Sequence, residues 1–155
     1  VVHVASMQPL LAAKPAVNSI EKALEGEGDL HLGANRQPNG WTVVTCTSGH
    51  GRTVWRDMVP EAAVAVAGSE AFGAVACENC CLYIFSRAGR RRLPAIMLES
   101  RVALLEAGGR YLMAVTTDGG CRLWDVEGLK EECGFSLASL LRAGGGGGAD
   151  ATVTS

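Results

Sequence analysis

Several things are scarce in this chain, and each shortage narrows what it can be. Aromatic residues make up 5% of it, and the formal charge is only −2. A partner such as nucleic acid can therefore meet only a local basic surface. No apolar run approaches the roughly 20 residues of a membrane-spanning helix, so no membrane partner is expected. The first residues, Val1-Val2-His3-Val4, include neither an initiator Met nor a basic stretch followed by a cleavage pattern. We expect a piece of a longer protein, with reduced thiols in an intracellular compartment.

Metal-binding and catalytic patterns are equally thin. Cys77-x-x-Cys80-Cys81 looks like half of a zinc site, but no second C-x-x-C or H-x-x-x-H follows it. His3, His31 and His50 are scattered upstream. Cys77 and Cys81 flank a turn at strand ends, where cysteine acts as a small apolar filler. Ser48-Gly-His50-Gly51 has no base and orienting acid at a recognised spacing. Gly144 to Gly148 lacks the lysine and hydroxyl of a phosphate loop. No enzyme activity, catalytic residue, metal or cofactor is expected; thiol chemistry at Cys80 or Cys81 is the strongest enzymatic alternative.

What is present is a repeat. Phe72-Gly-Ala-Val-Ala-Cys77 through Tyr83-Ile-Phe85-Ser86 lies over Tyr111-Leu-Met-Ala-Val-Thr116 through Leu123-Trp124-Asp125, at an offset of 39 residues. Each copy is an apolar run, a polar turn and a second apolar run ending in an aromatic. The second copy closes on Trp124-Asp125, the dipeptide of a WD-type propeller blade, and a period of roughly 40 residues is that of such blades. Glu78-Asn-Cys80 and Asp118-Gly-Gly120 are the two turns, the latter expected to be of the primed hairpin type. Upstream, Trp41 to Cys46 and Arg52 to Trp55 form a hairpin across Ser48 to Gly51. It reads as a weaker relative, with Trp55 in the place of Phe85 and Trp124.

The fold class expected is all-β. It is a partial WD or propeller-like array of antiparallel hairpins, two clear blades and a weaker upstream one, with a short C-terminal helix and flexible ends. Residues 1–28 read as a flexible linker, with a turn or two of helix from Ser19 to Leu24 capped by Ser19. Residues 29–141 read as an incomplete β domain. Leu93 to Leu98 starts a new unit, and Phe135 to Leu141 carries apolar residues near helical spacing. Residues 142–155 form a glycine-rich tail.

The ordered series Cys46-Thr-Ser-Gly, Val54-Trp55-Arg-Asp57, Ala67-Gly68, Phe72-x-Ala-Val-Ala-Cys77-Glu78, Gly89-Arg-Arg91, Leu93-Pro94, Tyr111-Leu112 and Leu123-Trp124-Asp125 resembles the C-terminal half of the HIRA family. These histone chaperone subunits are WD-repeat proteins similar in part to the Tup corepressors. The resemblance covers about Asp29 to Val126 and is closest to plant and algal members. Asn79-Cys80, where the family usually has an Asp-Gly turn, and a further arginine at Arg92 depart from it. The missing glycine leaves the hairpin type open.

The resemblance implies a non-enzymatic nuclear scaffold that works in replication-independent nucleosome assembly and transcriptional regulation. It implies self-association, partner subunits of a chaperone complex, and histones reached indirectly. The alternative is a generic WD-repeat interaction module unrelated to histones. In the family the Trp-Asp pair belongs to an association surface, which falls on Trp124 and Asp125. The plainer reading makes Trp124 a core aromatic and Asp125 a turn-satisfying carboxylate. Arg87, Arg90, Arg91 and Arg92 contact phosphate or a partner, without base readout, serve as part of a nuclear import signal, or form a hairpin connection paired to neighbouring groups.

Overall fold

A computed structural model describes residues 9–136. Twelve strands form three four-stranded antiparallel sheets, each built from consecutive strands. The first blade is β1 (Ser19–Ala23), β2 (His31–Arg36), β3 (Thr42–Thr47) and β4 (Thr53–Val59). The second is β5 (Ala63–Gly68), β6 (Phe72–Cys77), β7 (Cys81–Ser86) and β8 (Ile96–Met97). The third is β9 (Val102–Gly108), β10 (Tyr111–Thr116), β11 (Gly120–Asp125) and β12 (Lys130–Ser136). No helix occurs among the described residues. The all-β array of hairpins is thus the architecture, and the upstream blade is as complete as the other two.

The middle blade is buried on both faces, which explains why its strands read as unbroken apolar runs. Side chains alternate along a strand with period two. Phe72, Ala74, Ala76, Leu82 and Ile84 face the third blade, packing with Val102, Leu105, Leu112, Ala114 and Trp124. Val75, Cys77, Cys81, Tyr83 and Phe85 face the first, against Leu32, Ala34, Val44 and Cys46. Phe72 and Phe85 are among the largest fully buried side chains. Each contributes about 2–3 kcal/mol by leaving water. Small residues on β6 let the sheets approach: a Cβ added to Gly73 would sit 3.0 Å from the Leu32 side chain.

Four expectations about the strands are corrected. Ser19–Ala23 is extended and pairs with β2, Ser19 opposite Asn35 and Ala23 opposite His31, so the helical turn is absent. Ladder hydrogen bonds to β2 over five paired positions outweigh one capping serine. The stretch before it is tied down as well: Leu10 and Leu11 N–H donate to the Thr117 carbonyl, Lys14 N–H to Val102 and Val17 N–H to Ala63. These bonds lace the third blade to the second and lead the chain into the first.

Second, Phe135 and Ser136 are the end of β12, with Phe135 opposite Cys121. The rest of the expected helix, and the glycine-rich tail, lie outside the described residues. Third, Ile96–Met97 is the outer strand of the middle blade, pairing with Leu82 and Cys81, and does not start a new unit. Fourth, Trp55 sits on the outer strand β4, one strand further out than the strands that carry Phe85 and Trp124. It reaches across the blades instead, its ring 5.1 Å from that of Phe85.

The two repeat turns share one geometry despite their different sequences. Cys80 N–H donates to the Cys77 carbonyl and Gly119 N–H to that of Thr116. The left-handed residue is the last of each turn, Cys80 at φ +70° and Gly119 at φ +89°. Primed turns place positive φ at the central positions, so neither turn is primed. Glycine enters this conformation freely, whereas other L-residues pay about 1–2 kcal/mol.

Leu129 occupies the same kind of position at φ +58° and is exposed. Leu129→Gly is expected to raise stability by about 0.5–1 kcal/mol, the relief of left-handed strain less the added freedom of the unfolded chain. The urea midpoint reads this directly. A lower midpoint would mean that the leucine's contacts outweigh its backbone strain.

Candidate functional site

The Trp124-Asp125 dipeptide ends β11, and its two side chains leave the sheet on opposite faces. Trp124 is 3% exposed and lies in the core between the second and third blades. The Arg122 guanidinium stacks over its ring at 5.1 Å and is held there by Glu131 at 2.8 Å. Asp125 is 5% exposed and accepts two hydrogen bonds from Arg110, at 2.7 and 2.8 Å. It also accepts one from Gly128 N–H at 3.0 Å. This fork ties the β9–β10 connection to the turn after β11. The pair is therefore internal to the blade, and its outward neighbours are Arg110, Tyr111 and Glu127.

Three carboxyls in this blade sit below their ordinary range. Arg110 is the chief cause for Asp125, the Thr116 hydroxyl for Asp118, and Arg122 for Glu131. A carboxyl depressed in the folded state stabilises fully above its unfolded value, near pH 4. That stability is lost as pH falls through the folded value. Protonation of these three carboxyls at low pH therefore weakens the third blade.

The four arginines after β7 have separate surroundings. Arg87 donates to the carbonyls of Glu25, Glu27, Ser69 and Glu70, the shortest at 2.5 Å, and so clamps a first-blade loop to a second-blade loop. Its own carbonyl accepts the Trp55 indole N–H at 3.0 Å. Arg91 bonds Asp57 and the Met58 carbonyl and lies over the Tyr83 ring at 5.1 Å. Arg92 reaches the carbonyls of Val126 and Glu127 in the third blade, at 3.4 Å each. Arg90 alone of the four has an exposed side chain with no protein partner among the described residues. The turn that carries them fits closely, since a Cβ on Gly89 would lie 2.5 Å from Trp55 Cγ.

The cysteine cluster is split between two cores. Cys77 and Cys81 pack between the first and second blades, and Cys80 lies against the core between the second and third. Burial, with Cys81 beside it, pushes the Cys77 thiol up to about 12. Such a thiol stays protonated at neutral pH and is a poor nucleophile. Among the described residues, no three His, Cys, Asp or Glu side chains come together with metal-holding geometry.

Sequence reasoning passed over Ser69, which joins two blades, and Arg110, which ties the third blade together. Ser69 is fully buried and donates to the Gly109 carbonyl at 2.5 Å, linking the middle blade to the third. The only available signal was its place after the Ala67-Gly68 pair that precedes the repeat. Arg110 stands just before the repeat, and only its distance from Asp125 in space gives it meaning.

Residues 89–154 match the family model described as Hira, TUP1-like enhancer of split. Protein hir-1 of Neurospora crassa is 39% identical over 104 residues, which is 67% of this chain and 9% of that protein. Protein hir1 of Schizosaccharomyces pombe is 35% identical over 77 residues, covering 50% of this chain and 8% of its own. The chain thus spans about a tenth of the length of the curated relatives it matches. A crystal structure of HIRA(644-1017) superposes with a TM-score of 0.76 at 25% identity, over 94% of this chain and 45% of that one. BamB from Moraxella catarrhalis shares the fold alone, at a TM-score of 0.58 and 14% identity over 79% of this chain and 38% of its own. From the motif series, the family model and the superposition together, the chain belongs to the HIRA family.

Proposed function

We propose that these three blades are a non-catalytic scaffold region of a nuclear histone chaperone subunit. The region acts in replication-independent nucleosome assembly and transcriptional regulation by self-association and by holding partner subunits, with histones reached through them. The observation that carries this is membership of the HIRA family by sequence, because blade architecture alone is shared with proteins as different as BamB.

Within this reading, Trp124 and Asp125 act on assembly from behind the surface. Asp125 fixes Arg110 and the 125–128 turn, and these present Tyr111 and Glu127 outward. Any sequence-independent DNA contact falls to Arg90, since Arg87, Arg91 and Arg92 are held by neighbouring blades.

The test uses the longer protein carrying Asp125→Asn, which keeps the size of the side chain and removes its charge. Capture of sibling subunits and light-scattering mass are compared with the melting of the same variant. The expected outcome is a several-fold loss of capture or self-association, with the melting temperature lowered by only a few degrees. Full capture and unchanged mass, with the 125–128 turn loosened in hydrogen exchange, would refute the assembly role.

A further inference from the structure

The turn between β3 and β4 forms one wall of a cavity of about 480 Å³, lined by Ser48, His50, Arg52, Thr53 and Val54. Its backbone is fixed from within. Ser48 N–H donates to the Arg52 carbonyl and Gly51 N–H to that of Ser48. Gly51 stands at φ +79°, and a Cβ added to Gly49 would collide with the Asp29 carboxylate. The polar side chains, by contrast, are unused. Among the described residues, the Ser48 and Thr53 hydroxyls, the His50 ring and the Arg52 guanidinium have no protein partner. Elsewhere in the array Arg87, Arg91, Arg92, Arg101, Arg110 and Arg122 each engage carbonyls or carboxylates.

We propose that this cavity recognises a phosphorylated serine or threonine on a segment of a partner protein. Charge and donor count both fit that group. A phosphorylated side chain carries about −1.5 to −2 charges and three acceptor oxygens. Arg52 offers a planar fork that meets two of them, and the Ser48 and Thr53 hydroxyls and the His50 ring N–H are donors for the rest. No acid is among the lining residues. Val54, 49% exposed, supplies an apolar wall for the residue beside the phosphorylated one. Nucleic acid fits less well. None of the lining residues is aromatic, so a base has no ring to stack on. The neighbouring β1–β2 loop carries Glu25, Glu27 and Asp29, whose repulsion grows with every phosphate of a strand laid across that end. Capture through such a site follows the action of a kinase on the partner and is independent of the Trp124-Asp125 tie.

Fluorescence anisotropy of a labelled phosphothreonine peptide with the longer protein, beside the unphosphorylated twin, tests this. The expected result is saturable binding of the phosphopeptide, with the twin weaker by about tenfold or more, the effect of losing charged hydrogen bonds. Arg52→Gln should weaken the phosphopeptide by a similar factor with the melting temperature unchanged, because the side chain is exposed and unpaired. Arg36→Gln removes the same charge from the opposite end of the first blade and should leave binding within about twofold of the parent. No binding, or equal binding of the twin, would overturn the proposal. Equal losses in the Arg36 and Arg52 variants would overturn it by showing a diffuse field in place of a site. Inorganic phosphate competing as tightly as the phosphopeptide would overturn the protein partner. Duplex DNA displacing the peptide at lower concentration, with the same dependence on Arg52, would overturn it in favour of nucleic acid.

Discussion

Trp124→Ala is expected to cost about 3–5 kcal/mol, the usual penalty for truncating a buried large aromatic. For a chain of this size, that is a large share of a typical total stability of about 5–15 kcal/mol. Trp124 is 3% exposed, and its loss opens a cavity between the second and third blades beside Leu112 and Val126. It also strips the ring from under the Arg122 guanidinium. A urea titration followed by circular dichroism should show the midpoint fall steeply, with Trp124→Phe losing much less. Assembly would fail in the same variant for that reason alone, so loss of association on truncating this tryptophan is no sign of a contact surface. A Trp124→Ala midpoint within the error of the parent would mean that the ring is not core and would restore it to the surface.

Arg87→Met is expected to cost about 3 kcal/mol, because four carbonyls on two blades lose one shared charged donor. The contributions are not additive, so the sum of four bonds would overstate the effect. Lysine should rescue little. One ammonium on a flexible stem lacks the planar fork that reaches both the 25–27 and 69–70 loops. Arg90→Ala is the internal comparison, and its stability should stay within about 0.5 kcal/mol of the parent. Equal stability of Arg87→Met and Arg90→Ala would show the clamp to be unimportant. In a DNA-binding assay on the longer protein the order should reverse, with Arg90→Ala lowering affinity and salt dependence while the fold is intact.

Much of the architecture was legible because two signals agreed. The 39-residue offset relates β6 to β10 and β7 to β11 residue for residue. The Asp118-Gly119 turn then marked where one of those hairpins reverses. The first blade was harder to place, because its hairpin ending near Trp55 resembles the repeat by composition but is one strand out of step. An aromatic at a strand end says that a neighbour is covered and not which one. The outcome at Ser19–Ala23 has the same cause: one capping serine favours a helix locally, while five paired positions on β2 favour a strand. That partner is distant from the sequence window in which the helix was read.

The sequence by itself determined the all-β class, the blade period and the family, since these rest on local alternation, turn chemistry and the order of motifs. Tertiary structure alone decided what the charged and polar groups do. Four arginines within six residues look alike as a string. In space, one bridges two blades by their carbonyls, two are held by the first and third blades, and one is left to solvent. Likewise the Trp-Asp pair names a blade in sequence, but burial of the ring and the Arg110 fork make it an internal tie. The physical reason is reach. Periodicity is a property of neighbours along the chain, whereas a salt bridge or a carbonyl clamp depends on groups that only the packing of blades brings within about 3 Å.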